Sequence, residues 1–210
     1  MRIGALVRSY GLTDYLTPVL EQYKWLDKVL VMNYRFGGVR AVKDDTPLLT
    51  VPFKNAICKT GENLNQEEVL NLGLEEFKDF DWVFISDNDE LIQRKDQERL
   101  IKETEGFQAG KCRVIDYKDH KNTLPIRSHF PICIVKPNAR FYEVRCVSGA
   151  LKEFPDIYIH HFGYCYKDLS WKLEWEKPYE HKAVADLLSQ VSLPYEIPEE
   201  IKELLSDKNT

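Results

Sequence analysis

The chain has 210 residues, of which 43% are hydrophobic and 30% charged, with a net charge of −5 and a pI near 5.6. That composition supplies a core and excludes disordered and fibrous classes, and its acidic balance gives no global attraction to nucleic acid or anionic lipid. The five cysteines, Cys58, Cys112, Cys133, Cys146 and Cys165, form no C-x-x-C pair, which argues for reduced thiols over a disulfide framework or a structural zinc site. The opening residues hold too few consecutive apolar positions for a secretory leader, and no later run is long enough to span a bilayer; a soluble cytoplasmic protein is expected.

In chain order, residues 3–7 read as a first strand. Leu16, Val19, Leu20 and Tyr23 recur at helical spacing within 12–25, with Pro18 near the helix start. Residues 28–32 read as a second buried strand that ends in a glycine-marked loop, and 48–51 as a short third strand. Val69, Leu70, Leu72, Leu74, Phe77 and Phe80 predict a helix over 65–80, which feeds a strand at 82–85. Alternating strands and helices imply parallel strands joined by right-handed crossovers.

Beyond Glu90 the pattern changes. A polar helix is expected over 94–103, then strand-like pieces at 111–117, 132–136, 141–147 and 157–161, broken by prolines and suited to a smaller mixed or antiparallel sheet. Helices are expected around 169–180, 181–190 and 198–205, with a frayed tail after them.

The stretch Asp81-Trp82-Val83-Phe84-Ile85-Ser86-Asp87-Asn88-Asp89-Glu90 carries the chemistry. An apolar run of strand-forming residues discharges into three carboxylates, at the sheet edge where α/β proteins bind ligands. Hard oxygen donors gathered there suit Mg²⁺ or Mn²⁺ together with substrate phosphates. Read alone, the triplet is also an ordinary Asx turn or helix cap.

These landmarks form an ordered set: the opening IGALVRSYG, the LNLGLEEF helix, DWVFISDNDELI and the later IHHFGYCYKD. Together they resemble GT-A-fold glycosyltransferases of the family 2 type, in particular small members with a DxDE motif. The resemblance implies an α/β GT-A fold: a mainly parallel central sheet flanked by helices, a small mixed or antiparallel sheet, and C-terminal helices. It also implies one domain over 1–210, with a nucleotide-binding half (1–90), an acceptor-side half (91–166) and C-terminal helices with a tail (167–210). The implied activity is metal-dependent sugar transfer with inversion from a nucleotide-sugar donor, a UDP-sugar by family, to a glycan, protein, lipid-linked or nucleic-acid acceptor.

In that family pattern Asp87 and Asp89 meet the nucleotide ribose and the metal, with Asp89 the direct ligand, and His161 of HFGY approaches the metal or the diphosphate. Mn²⁺ or Mg²⁺ is the implied cofactor. His160 and His161 are adjacent on a strand, so one of them alone faces the site. Val7, Arg8, Asn33 and Arg35, at the ends of the first two strands, are placed to contact the nucleotide, as is Asn71 on the polar side of the helix, with capping of a loop as its alternative. Where the family commonly has an acidic nucleotide contact after the second strand, this chain has Asn33-Tyr34-Arg35.

An inverting transfer needs a base for the acceptor proton. Glu143 is the candidate chosen over Glu153 and Asp156; a surface pairing of Glu143 with Arg140 or Arg145 is the plain alternative. Glu90 is expected to orient the loop or to bind through water. Lys172 and Lys177 are candidates for the diphosphate, while Trp171, Trp175 and Tyr179 form a stripe that reads first as core. Two other functions fit the same elements: nucleotidyl transfer, whose glycine-rich, lysine-bearing opening loop is missing, and a ligand-binding module without turnover.

Overall fold

Four parallel strands make the first half of the central sheet. In the computed structural model, which describes residues 1–9, 11, 13–35, 45–62, 64–124, 130–143, 145–166 and 193–206, β1 (Ile3–Ser9), β2 (Lys28–Arg35), β3 (Ala56–Glu62) and β4 (Trp82–Asp87) pair in the order β3-β2-β1-β4. Between them lie α1 (Leu16–Gln22), α2 (Thr46–Thr50) and α3 (Gln66–Leu74), the last continued by a 3₁₀ turn, Glu75–Phe77.

After β4 come β5 (Glu90–Leu91), α4 (Arg94–Glu103), β6 (Ala109–Asp116), β7 (Asn122–Thr123) and β8 (Ile132–Val135). Then follow β9 (Phe141–Glu143), β10 (Cys146–Val147), β11 (Leu151–His161), β12 (Leu193–Pro194) and α5 (Glu199–Ser206). The eight-stranded sheet runs β3-β2-β1-β4-β8-β6-β11-β5, with β9–β10 and β7–β12 as separate two-stranded pairs. It is mixed: β8 runs antiparallel to both β4 and β6, and β5 antiparallel to β11, whereas β6 and β11 are parallel.

Alternate residues of the central strands enter opposite cores, as strand geometry requires. Ala5, Val7, Val29, Val31, Trp82 and Phe84 pack on one face with Leu16, Val19 and Leu20 of α1, Leu100 of α4 and Ile201 of α5. Leu6, Leu30, Met32, Val83 and Ile85 pack on the other with Val69, Leu70 and Leu74 of α3 and with Phe141 and Val147 of the β9–β10 hairpin. Helix α3 lies so close to the sheet that a Cβ at Gly73 would stand 2.4 Å from Leu6 Cδ1. Its start is fixed by a capping box: Asn65 Oδ1 accepts from the Glu68 amide, and Glu68 Oε2 accepts from the Asn65 amide. Among the described residues no helix is long and apolar enough to cross a membrane, and the five cysteines are free thiols.

Four sequence expectations are corrected. Residues 46–50 are helical rather than a strand, because Pro47 occupies the first helical turn, where its fixed φ and missing N–H favour a helix start. The third strand is β3, an exposed edge strand whose polar content gives little hydrophobic pattern. Residues 141–147 fold as the β9–β10 hairpin instead of one strand. The last strand begins at Leu151, and its register shifts between Phe154 and Tyr158, around Pro155, which has no N–H for a regular ladder. The helices expected over 169–190, with Trp171, Lys172, Trp175, Lys177 and Tyr179, lie outside the described residues.

His160 is buried to 2% exposure, with its Nδ1 2.8 Å from the Tyr117 hydroxyl. Burial depresses its imidazole from 6.5 to about 4, so it is neutral in the folded protein near neutrality. The unfolded chain takes up a proton below pH 6.5 and the folded chain does not until about pH 4; the stability from this site is therefore full above 6.5 and lost as pH falls between those values. The full loss is about 3 kcal/mol. Urea unfolding across this range should show that slope in the parent and its absence in His160→Phe; equal slopes would exclude a buried neutral histidine.

Candidate functional site

The carboxyl ends of β1 and β4 bring an arginine and an aspartate together by register alone, since Arg8 is the direct partner of Asp87 in the parallel ladder. Arg8 Nε donates to Asp87 Oδ1 at 2.6 Å and Nη2 to Oδ2 at 2.8 Å, a bidentate fork, while Nη1 donates to Gln66 Oε1 at the start of α3. Burial alone would raise the Asp87 carboxyl. The charges of Arg8 and Arg145 and the Arg8 hydrogen bonds outweigh it and hold Asp87 at about 2, below the usual 3.8.

A second row forms by the same means on the far side of the turn. His161 of β11 is paired with Asp116 at the end of β6 and with Glu90 of β5. Its Nδ1 lies 2.6 Å from Asp116 Oδ1, and its Nε2 lies 3.6 Å from Asp89 Oδ1. The first distance is a strong hydrogen bond that fixes the ring; the second is too long for one. The ring thus stands between two carboxylates, one opposite each nitrogen. Tyr166 stands beside Asp89. Burial, then the charges of Asp89 and Asp14, push its phenol well above the ordinary range, so it remains protonated.

The acidic turn is held from several directions. The Asn88 amide donates to the Arg8 carbonyl, extending the β1 ladder, and the Phe162 amide donates to the Asp89 carbonyl. Gln22 Nε2 of α1 donates to the Glu90 carbonyl at 2.8 Å. The Glu90 side chain turns inward: its Oε2 accepts the Asp87 amide at 2.9 Å, and both oxygens accept from Arg145 at 2.6 and 2.5 Å. Glu90 thus orients the loop, in the role expected of it.

The structure gathers Arg8, Asp87, Asp89 and His161, and adds Asp116, Tyr166 and Arg145, which the sequence reading did not select for the site. Other expected contacts stand elsewhere. Val7 is fully buried in the core between Val31 and Ser86, so its side chain has no surface to offer a nucleotide. Asn71 takes the loop-holding alternative: its amide bonds the Phe141 backbone twice, accepting from N–H at 2.9 Å and donating to C=O at 2.8 Å, and so anchors β9.

Asn33 is buried, and its Oδ1 accepts from the Gly11 amide, shaping the loop after β1. Arg35 ends β2, and its side chain lies outside the described set. Glu143 is exposed on β9; Arg145, its possible surface partner, is instead buried against Glu90. Glu153 is exposed, and Asp156 pairs with Arg99 away from the turn. Asp116 had a sequence signal: Val114-Ile115-Asp116 is another apolar strand running out into an acid.

Among the described residues no group of three His, Cys, Asp or Glu side chains is disposed to hold a metal ion. What Asp89 and His161 present is a two-donor set, which suits an ion completed by substrate phosphates and water rather than a closed protein cage.

No family model and no curated protein matches the chain. Among solved structures it is similar to S. aureus TarS, at 15% identity over 83% of this chain and 38% of that one, with a TM-score of 0.49. It is also similar to the 1-349 portion of TarS in complex with UDP, at 18% identity over 56% of this chain, TM-score 0.41, and there spans 36% of the matched chain's length. HddC from Yersinia pseudotuberculosis complexed with GMP-PN is similar at 9% identity over 99% of both chains, TM-score 0.48.

Replacing Arg8 by Met leaves the Asp87 carboxylate without its fork in a largely buried setting, and should cost about 3 kcal/mol in chemical denaturation. Because the folded value of Asp87 lies below 3.8, its contribution is present above pH 3.8 and lost as pH falls toward about 2. Arg8→Met should lack this part of the acid limb; a variant with parent stability and an unchanged limb would show that the fork carries no weight.

Proposed function

We propose that this chain is a metal-dependent glycosyltransferase of GT-A type that takes a nucleoside-diphosphate sugar as donor, a UDP-sugar being the first candidate. The observation that carries the reading is the row Asp116–His161–Asp89, set beside an Arg8-clamped Asp87 at the carboxyl ends of β1 and β4. This is the edge at which α/β sheets receive nucleotides.

In this reading Asp89 and His161 Nε2 hold a divalent cation. Asp116 keeps Nδ1 engaged so that Nε2 is the donating atom, a carboxylate–histidine arrangement that fixes the ring and strengthens it as a ligand. One carboxylate and one imidazole favour Mn²⁺ over Mg²⁺, which prefers oxygen throughout. The bound ion would act as a Lewis acid, neutralising charge on the departing diphosphate. Asp87, whose oxygens are both engaged by Arg8, is fixed to face the ribose rather than the ion. Glu143, exposed on β9, is the group proposed to take the acceptor proton in an inverting transfer.

The test is a thermal-shift series with UDP, GDP, CMP, dTDP and ADP, each with Mn²⁺, Mg²⁺ or EDTA. A ligand at about a hundred times its dissociation constant adds about 2.7 kcal/mol, a rise of several degrees for a chain of this size. One nucleoside diphosphate should raise the melting temperature with Mn²⁺ and not with EDTA. Asp89→Ala should abolish that rise while melting like the parent in EDTA. Nucleotide binding that ignores both metal and Asp89 would overturn the metal role, and silence from every nucleotide would overturn the donor reading.

A further inference from the structure

Arg145 has no evident place in the chemistry, yet it is among the most constrained residues of the molecule. It is 5% exposed and sits at the turn of the β9–β10 hairpin. Among the described non-glycine residues it alone has positive φ, 54°, a conformation that L-residues with side chains seldom adopt. A buried guanidinium is costly unless it is matched by charge and geometry. Here both are supplied from the back of the acidic turn: Nη1 reaches Glu90 Oε1 at 2.6 Å, and Nη2 reaches Glu90 Oε2 at 2.5 Å and the Ile85 carbonyl at 3.0 Å.

We infer that Arg145 is a positioning residue for the Asp87–Asp89 turn, acting through Glu90. Glu90 Oε2, held by Arg145, is the acceptor for the Asp87 amide, so the guanidinium sets the peptide from which the site carboxylates project. The hairpin that brings it is itself fixed, since Asn71 binds both polar groups of the Phe141 backbone. The segment therefore works as a wedge: one end is tied to α3, and the other drives a charge beneath the turn. Removing the arginine frees the Glu90 carboxylate to seek solvent or a cation and leaves the Asp87 amide without an oriented acceptor. The consequence for ligand binding rests on the transferase reading; the consequence for the turn does not.

A merely structural role would be met by any well-packed replacement of the ion pair, and this gives the test. Three proteins are compared: the parent, Arg145→Met, and the double variant Glu90→Leu with Arg145→Met, in which an apolar pair of similar volume replaces the charges, an exchange that buried ion pairs often tolerate. Amide exchange by NMR is read at Asp87 and, as the internal control, at Val83 and Phe84 in the ladder between β4 and β8.

Both variants should exchange at Asp87 faster than the parent by about tenfold or more while the control amides keep their protection. Binding of UDP with Mn²⁺ should weaken by a similar factor in both, even where the double variant melts like the parent. Parent-like exchange at Asp87 in either folded variant would overturn the inference; if Arg145→Met fails to fold, Arg145→Lys, which keeps the charge and loses the fork, takes its place and should also exchange faster at Asp87 than the parent. If the parent binds no nucleotide, the transferase reading fails, while the exchange data, which need no ligand, still decide the role of Arg145.

Discussion

The whole arrangement depends on one short connection. β4 ends at Asp87 and β5 begins at Glu90, so two residues, Asn88 and Asp89, join them. In the hydrogen-bonding order, however, β8, β6 and β11 lie between those strands. With neighbouring strands about 4.8 Å apart, a flat sheet would hold them several strand widths from each other, beyond the reach of a two-residue link. The sheet therefore curls until its last strand returns beside its middle. The site lies in that closure: β4 supplies Asp87, the link supplies Asp89, and β6 and β11 bring Asp116 and His161 to the same level through their pairing.

Charge burial then has to be resolved in a small space. Arg8, Asp89, Glu90, Asp116 and Arg145 are all nearly inaccessible. The two arginines approach the acidic turn from different sides, Arg8 from β1 onto Asp87 and Arg145 from the hairpin onto Glu90. Each acid so paired is fixed and electrostatically satisfied. What remains facing the histidine is Asp89. The protein thus separates the two acids paired with arginine from Asp89, which faces the histidine, although all three stand within four consecutive positions of the chain.

How much of this was legible in the sequence follows from the range of the forces involved. The parallel half was readable because its strands are buried on both faces and leave continuous apolar runs. The acidic turn was readable because three carboxylates interrupt such a run, and His161 because it sits in a compact local motif. β3 left little trace because an edge strand need not be apolar. The hairpin turn at Arg145 was hidden because its signal is tertiary: no glycine or asparagine marks the left-handed residue, and the conformation is held by a carboxylate 55 positions away. Asn71 stayed open between a nucleotide contact and a loop cap for the same reason, since a polar residue on a helix near the site gives no local sign that it binds a backbone 70 positions distant.

The late pairing of β5 with β11 has a kinetic consequence. Leu91 meets His160, and Glu90 meets His161, across a long intervening segment, and contacts of such separation form slowly because the loop must be closed before they return any energy. During synthesis the parallel half is complete well before His161 has been made, so an emerging chain carries its acidic turn with no histidine opposite it. The capacity to present Asp89 and His161 together belongs to the molecules in which the sheet has closed.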